Sequence, residues 1–304
     1  MELQKNILLF LASLRTPFLN QLVEFITMLG EEFILLSISL FIFWCTSKKK
    51  GFTISFVLMT SIFTMQIIKS IIRFPRPWQV YPEEIRSLRK STATGYSFPS
   101  GHTTMATSFY GCLSKVYKKK LLSILCGILI VLIGLSRLYL GVHWPLDVVG
   151  GLLLGSIITF TLTQVFERIY DNKKIILKIF PVIALLLIFA SLFISILLNN
   201  ALINYDAFSD FSKSTTMFGA LLLGFSLEER LCKFNTDGSM IKKIIRYILG
   251  ILGAYIFLVL SKKLFINNPI TSCIRYCLTG IWITFIWPFI GSKLKLFSTD
   301  YSGK

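Results

Sequence analysis

The sequence predicts an all-α protein: a polytopic bundle of about nine membrane-spanning helices of ~20 residues each, preceded by amphipathic helices at the membrane surface. Three observations predict it. Of the 304 residues, 54% are hydrophobic and 15% charged, whereas a soluble domain carries about a quarter charged residues. The apolar residues gather in long uncharged runs separated by short basic turns. Lys and Arg number 32 against 15 Asp and Glu, a formal net charge of +17, and basic turns between apolar runs are how a membrane protein fixes its orientation. Disorder is excluded, because it requires low hydrophobicity. A nucleic-acid binder shares the charge but not this apolar content, so no nucleic-acid partner is expected.

Residues 1–29 form the first segment. Leu3, Ile7, Leu8, Leu11 and Leu14, then Phe18, Leu22, Phe25, Ile26 and Leu29, recur at helical spacing with Gln4, Lys5, Asn20, Gln21 and Glu24 between them. That pattern suits amphipathic helices lying in the interface; one irregular span is the alternative. Glu2 precedes a single Lys5 and no small-residue cleavage site follows, so the segment does not read as a cleavable signal peptide.

Residues 30–171 hold candidate spans at 33–47, 51–68, 101–114, 121–140 and 148–166. The run 101–114 is free of charge yet rich in Thr, Ser, Gly and Ala, a composition that faces other helices rather than lipid. Residues 172–304 add candidates at 179–198, 214–227, 247–261 and 276–292. If each crosses, the basic turns at 48–50, 115–120, 168–178 and 230–246 and the tail from Lys293 share one side, where Lys and Arg are in excess. The positive-inside rule makes that side cytoplasmic. The loop 74–99 and the link 141–144 then face outward. No internal repeat with matched broken helices, as inverted-repeat transporters show, is visible.

Cys45, Cys112, Cys126, Cys232, Cys273 and Cys277 mostly fall inside apolar runs and form no CxxC pair, so buried free thiols are expected rather than zinc or disulfides. Trp44, Trp78, Trp144, Trp282 and Trp287 read most simply as an aromatic belt. The stretch 199–213, with Asp206 and Asp210, reads as a solvated outward loop.

The chemistry concentrates around the chain's two histidines, His102 and His143. Both lie at outward ends of candidate helices. Lys69, Arg76 and Arg137 converge on the same face, and three cations there match a phosphate dianion, with Arg able to form bidentate contacts. Ser100 and Gly101 sit where a helix begins, so free N–H groups and the helix dipole favour an anion, and Gly permits close approach. Asp147, four residues after His143, is spaced to hold one imidazole N–H and leave the other nitrogen lone pair free. That arrangement makes a histidine a nucleophile, and a second histidine can protonate the leaving oxygen, a step worth ~10²–10⁴-fold. With no carboxylate cluster for two-metal chemistry, neither metal nor cofactor is expected. Read singly, these residues have plainer roles: Lys69 and Arg76 as snorkelling cations, Ser100 as an N-cap, Asp147 as a dipole-stabilising acid.

The three blocks KSIIRFPRP from Lys69 to Pro77, PSGH from Pro99 to His102 and SRLYLGVHWPLD from Ser136 to Asp147 together resemble the type 2 phosphatidic acid phosphatase and vanadium haloperoxidase superfamily. Its pattern is Lys, six residues, Arg-Pro; Pro-Ser-Gly-His; Ser-Arg, five residues, His, three residues, Asp, and every position is matched here. The resemblance covers residues 30–171. It implies a nucleophilic His143 that forms a phosphohistidine, Asp147 as its orienting partner, and His102 as the acid and then the base. It implies a phosphate cradle of Lys69, Arg76, Ser100, Gly101 and Arg137, with no metal. The expected activity is hydrolysis of a lipid phosphomonoester or diphosphate at the extracytoplasmic face of a bacterial cytoplasmic membrane. Undecaprenyl diphosphate, phosphatidylglycerol phosphate, phosphatidic acid and lipid A phosphates are the candidate substrates. The extra C-terminal helices also resemble the glucose-6-phosphatase branch, which keeps a phosphatase or phosphotransferase for a soluble sugar phosphate as an alternative. From other classes, a non-enzymatic lipid transporter lacks its repeat signature here, and a haloperoxidase is less apolar.

Overall fold

The computed structural model describes residues 1–90, 93–264 and 266–299. Ser91 and Thr92 of the outward loop and Lys304 of the basic tail lie outside the described residues. The chain forms two compact units: Met1–Leu36 with Phe56–Gln164, and Ser37–Ser55 with Val165–Lys304.

The helices are α1 (Glu2–Ser13), α2 (Pro17–Met28), α3 (Glu32–Phe41), α4 (Lys48–Ile72), α5 (Pro77–Val80), α6 (Gly101–Tyr117), α7 (Lys120–Tyr139) and α8 (Pro145–Asp171). There follow α9 (Phe180–Asn199), α10 (Tyr205–Leu231), α11 (Met240–Tyr255), α12 (Ser261–Leu264), α13 (Pro269–Ile281) and α14 (Trp287–Lys293). A two-residue antiparallel bridge pairs β1 (Phe234–Asn235) with β2 (Ser298–Thr299). Several starts are written locally. Thr16 accepts from the Leu19 N–H with Pro17 following, and Asn204 accepts from the Ala207 N–H. Asn268 forms a reciprocal capping box with Thr271. Each cap satisfies a donor that the first helical turn leaves open.

Six helical stretches among the described residues are long and apolar enough to cross a membrane, and the pair α2 and α3, bent by 48°, makes a seventh if it is one span. The sequence count of nine also included α6 and α10, which are helices but fall short of that standard. That standard rests on length and composition alone, and both helices are largely enclosed by protein. In α6 every residue from His102 to Tyr110 is buried, and α10 is buried along most of its length from Ala207 to Glu229. A helix enclosed by protein needs no lipid-facing apolar surface. The expected loop at 199–213 is also shorter than read, because α10 already begins at Tyr205.

In the first unit, α1 and α2 pack on α7. Leu8 is buried with Ile85, Leu138, Trp144 and Val148, and Val23 with Tyr139, Leu140 and Val142. Polar side chains face inward: the Gln4 side chain accepts from the Leu146 N–H, Lys5 pairs with Glu84 at 2.7 Å, and Arg15 donates to the Tyr139 carbonyl. Leu3, Phe10, Phe18 and Phe25 point outward. Apolar side chains exposed in this way suit an apolar environment.

Glycines bring α6 and α8 together. A Cβ on Gly155 would lie 2.6 Å from the Thr107 Cβ and 2.8 Å from the Thr104 carbonyl oxygen, and one on Gly151 would lie 2.9 Å from the Ser100 carbonyl. Gly155→Val is therefore expected to push α8 off α6, costing at least about 1–3 kcal/mol for overpacking. The check is a lowered Tm in detergent together with lost activity; an unchanged Tm would refute the close approach.

In the second unit α10 packs against α9 and α13. Lys48 binds Glu228 at 2.6 Å and Glu229 at 2.9 Å. The tryptophans correct the sequence reading of an aromatic belt. Trp44 and Trp144 are fully buried and Trp287 nearly so. Their indole N–H groups donate to the carbonyls of Ile283, Pro75 and Arg246 respectively. Each ring fills core volume while its polar edge finds a backbone acceptor, and neither role is visible in a linear pattern. The six cysteines are free, and all but Cys277 are buried.

Candidate active site

All eight residues singled out in the sequence lie in the first unit. Lys69 sits in the last turn of α4 and Arg76 caps the start of α5. Ser100 caps α6, which opens with Gly101 and His102. Arg137 is in the last turn of α7, and Asp147 in the first turn of α8. Helix ends thus carry the site, because only there does a rigid element present side chains and open backbone groups together.

His143 is 2% exposed and Asp147 1%. The His143 Nδ1 stands 3.3 Å from Asp147 Oδ2, and that oxygen accepts from the Trp144 N–H at 2.7 Å and from the Ser97 hydroxyl at 2.5 Å. On the far side of the ring, His143 Nε2 lies 3.3 Å from an Arg76 Nη. A guanidinium only donates, so the network assigns the lone pair to Nε2 and the proton to Nδ1, facing Asp147. Burial, then the positive charges of Arg76, Lys69 and Arg137, hold the His143 imidazole well below the usual histidine range.

The cations differ in how they are satisfied. The Arg76 guanidinium donates to the carbonyls of Thr94, Gly95, Tyr96 and Val142 as well as facing His143, and it lies over the Trp78 ring. It thereby folds the loop over the site. Lys69 Nζ donates to the Tyr96 carbonyl at 2.8 Å. Arg137 is fully buried and donates one Nη to the Thr27 hydroxyl at 2.6 Å, while its Nε and other Nη have no partner among the described residues. His102 Nε2 and Asp147 Oδ1 are also buried without partners among the described residues. Buried polar atoms are nearly always paired, so the open Arg137 and His102 nitrogens stand out as unmet hydrogen-bonding capacity. The Ser100 hydroxyl makes no cap bond to α6 and accepts instead from Thr103. Its backbone N–H donates to the Asp147 carbonyl at 2.9 Å and ties α6 to α8.

His143, Asp147 and Arg76 are thus in direct contact. Lys69 joins Arg76 through their common acceptor, the Tyr96 carbonyl. Arg137 and His102 act on His143 electrostatically without bonding to it. Three cations against one carboxylate leave an excess of positive charge suited to phosphate oxygens. Among the described residues no group of His, Cys, Asp and Glu is arranged to hold a metal ion.

Comparison with known proteins follows the same residues. The family model of the PAP2 superfamily matches residues 50–171, and that of the PAP2 superfamily phosphatase transmembrane extension matches 211–300. The undecaprenyl-diphosphatase of Sulfolobus acidocaldarius is 31% identical over 159 residues, covering 52% of this chain and 75% of the relative. The chain belongs to the PAP2 superfamily. Phosphatidylglycerophosphatase B of Bacillus subtilis is 30% identical over 169 residues, covering 51% of this chain and 79% of the relative. The solved PAP2 type phosphatidylglycerolphosphate phosphatase of Bacillus subtilis is 29% identical, covers 55% of this chain and 86% of that one, and gives a TM-score of 0.48. The chain is a helical membrane protein of a phosphatase family, and both PAP2 segments lie within it.

Two side chains that touch this PAP2 cluster were not singled out in the sequence. Ser97 bonds Asp147 and lies 3.5 Å from His143 Nδ1. Thr27, in α2, is the acceptor for Arg137. Ser97 stands only three residues before Ser100, so its neighbourhood was a signal; Thr27, 110 positions from Arg137, offered none.

The depressed His143 basicity has a kinetic consequence. As pH falls, the imidazole stays neutral through the ordinary histidine value of 6.5. The kcat/KM profile, corrected for ionisation of the substrate phosphate, is expected to hold its plateau through that value. An acid limb centred there would contradict the buried geometry.

Proposed function

We propose that this chain is a membrane phosphatase that hydrolyses a lipid phosphomonoester or diphosphate at the extracytoplasmic face through a phosphohistidine intermediate. The observation that carries the reading is the buried, Asp-paired His143 set among Lys69, Arg76 and Arg137, with donors on Arg137 left open. A site with surplus positive charge and unfilled donors is built for an oxyanion.

In the first step His143 Nε2 attacks phosphorus. The N–P bond forms as the P–O bond to the lipid breaks, and His102, protonated once the phosphate charge is bound beside it, gives its proton to the leaving oxygen. In the second step water attacks phosphorus, His102 takes the water's proton, and the N–P bond breaks to release orthophosphate. His143 returns neutral and His102 returns protonated. Asp147 holds the Nδ1 proton throughout. The open Arg137 edge, Lys69, Arg76, Ser100 and the Gly101 backbone receive the phosphate oxygens. Such catalysis is positioning and charge stabilisation.

The lipid class is supported by relatives whose names specify undecaprenyl diphosphate and phosphatidylglycerophosphate. The outward face is supported by the excess of Lys and Arg in the opposite turns, and a bacterial cytoplasmic membrane is the setting proposed. Residues 30–171 act as the catalytic core, 1–29 as a membrane-surface segment and 172–304 as a transmembrane extension. The test is phosphate release by detergent-purified protein from undecaprenyl diphosphate, phosphatidylglycerol phosphate, phosphatidic acid and glucose 6-phosphate, with EDTA and with vanadate. The expected result is vanadate-sensitive, EDTA-resistant turnover, with kcat/KM at least ~10-fold higher on a lipid than on the sugar, equivalent to ~1.4 kcal/mol. Preference for the sugar phosphate, or dependence on a divalent cation, would overturn the proposal.

A further inference from the structure

The second unit contains a cationic cavity of its own. It measures about 360 Å³ and is lined by Lys213, Lys262, Asn267, Ser272 and Arg275 among others. Tyr205, the first residue of α10, also lines it, and Ser272 lies in the opening turn of α13. Residues from the opening turns of two helices therefore line the same space, and the positive end of a helix dipole favours an anion nearby.

Arg275 decides the chemistry. It is 8% exposed. One Nη donates to Ser272 Oγ at 2.8 Å and Asn267 Oδ1 at 3.2 Å, and the other reaches the Leu258 carbonyl at 3.5 Å. Its Nε–H is buried with no partner among the described residues. None of the ion pairs among those residues includes it. The contrast is Arg246 in the same unit, also buried, whose three nitrogens all donate to the carbonyls of Trp44, Thr236, Asp237 and Leu296. Arg246 is satisfied by backbone. Arg275 is anchored at its far end by neutral groups and, among the described residues, keeps a donor open and has no counter-charge, and a buried cation in that condition is costly until an anion meets it. Lys213 is paired with Asp210 at 2.9 Å, and Lys262, which is exposed, adds positive charge at the rim.

We infer that this cavity binds an anionic phosphate group, received by the Arg275 Nε–H with Lys213 and Lys262 at its rim. The phosphate is that of an anionic lipid headgroup or free orthophosphate, and the two share this chemistry. The site is independent of the catalytic reading given above.

The test is native mass spectrometry of the detergent-purified full chain, titrated separately with phosphatidylglycerol, with phosphatidylcholine and with inorganic phosphate. Wild type is compared with Arg275→Gln and with the double variant Lys213→Gln, Lys262→Gln. The expected result is that one anionic binding site, separate from the one that Arg137→Met removes, weakens about tenfold in both variants while phosphatidylcholine binding is unchanged. A loss confined to phosphatidylglycerol assigns the headgroup, and a loss confined to inorganic phosphate assigns the free anion. If Arg275→Gln fails to fold, the double variant makes the same comparison from two rim residues. Unchanged binding of both anionic ligands in the folded variants overturns the inference.

Discussion

Replacing His143 by alanine is expected to abolish turnover, by ~10⁴-fold or more in kcat, the scale seen when a covalent nucleophile is removed. The reason is local. His143 Nε2 is the ring nitrogen left with its lone pair, because Nδ1 faces Asp147 and an Arg76 Nη faces Nε2. No water or neighbouring side chain replaces it, since the ring is 2% exposed. Asp147→Asn is expected to leave slow activity: the amide keeps the volume and the Trp144 N–H contact but no longer fixes the Nδ1 proton by charge. The measurement is single-turnover phosphate release together with acid-labile labelling from ³²P-substrate. Labelling and turnover at wild-type levels in the alanine variant would refute the nucleophile assignment.

The second large effect separates two arginines of the same cluster. Arg137→Met is expected to lower kcat by ~10²–10³-fold, the effect of removing one preorganised donor to a developing oxyanion. It is expected to leave Tm unchanged or raised. The guanidinium is fully buried with two unpaired donors, and removing an uncompensated buried charge relieves a cost that only the ligand offsets. Arg76→Met is expected to reduce activity as well, but with a fall in Tm. The carbonyls of Thr94, Gly95 and Val142 lose this donor while that of Tyr96 keeps Lys69, at about 1–3 kcal/mol for the buried Val142 acceptor left unmatched. Kinetics and thermal unfolding of the two purified variants check this. Equal destabilisation would show that both side chains serve the fold in the same way.

Much of the site is legible in the chain because its parts lie at helix ends. His143 and Asp147 are four residues apart, and the start of a helix brings that spacing into contact. Lys69 and Arg76 straddle the end of α4 and the cap of α5, so the break at Pro75 and Pro77 keeps them close. The apolar runs were equally legible as helices, because a span reports its own length and composition. What failed to show was anything set by surroundings. Trp44 and Trp144 read as belt residues because a tryptophan beside an apolar run looks the same whether its indole meets a headgroup or a buried carbonyl. The small, polar composition of α6 read as facing other helices, and its burial agrees, whereas nothing in the α10 pattern showed that protein encloses it.

The sequence by itself determined the helical membrane architecture, the chemistry-bearing blocks and their order, since periodicity, apolar length and short spacings act within one turn or one helix. Only the tertiary structure decided which charges are spent and which stay open. Arg76 and Arg137 are the same residue type in neighbouring motifs, yet one gathers four carbonyls from distant segments and the other meets a lone threonine from α2. Hydrogen bonds of that kind depend on where remote backbone comes to rest, and no local rule of the chain encodes it.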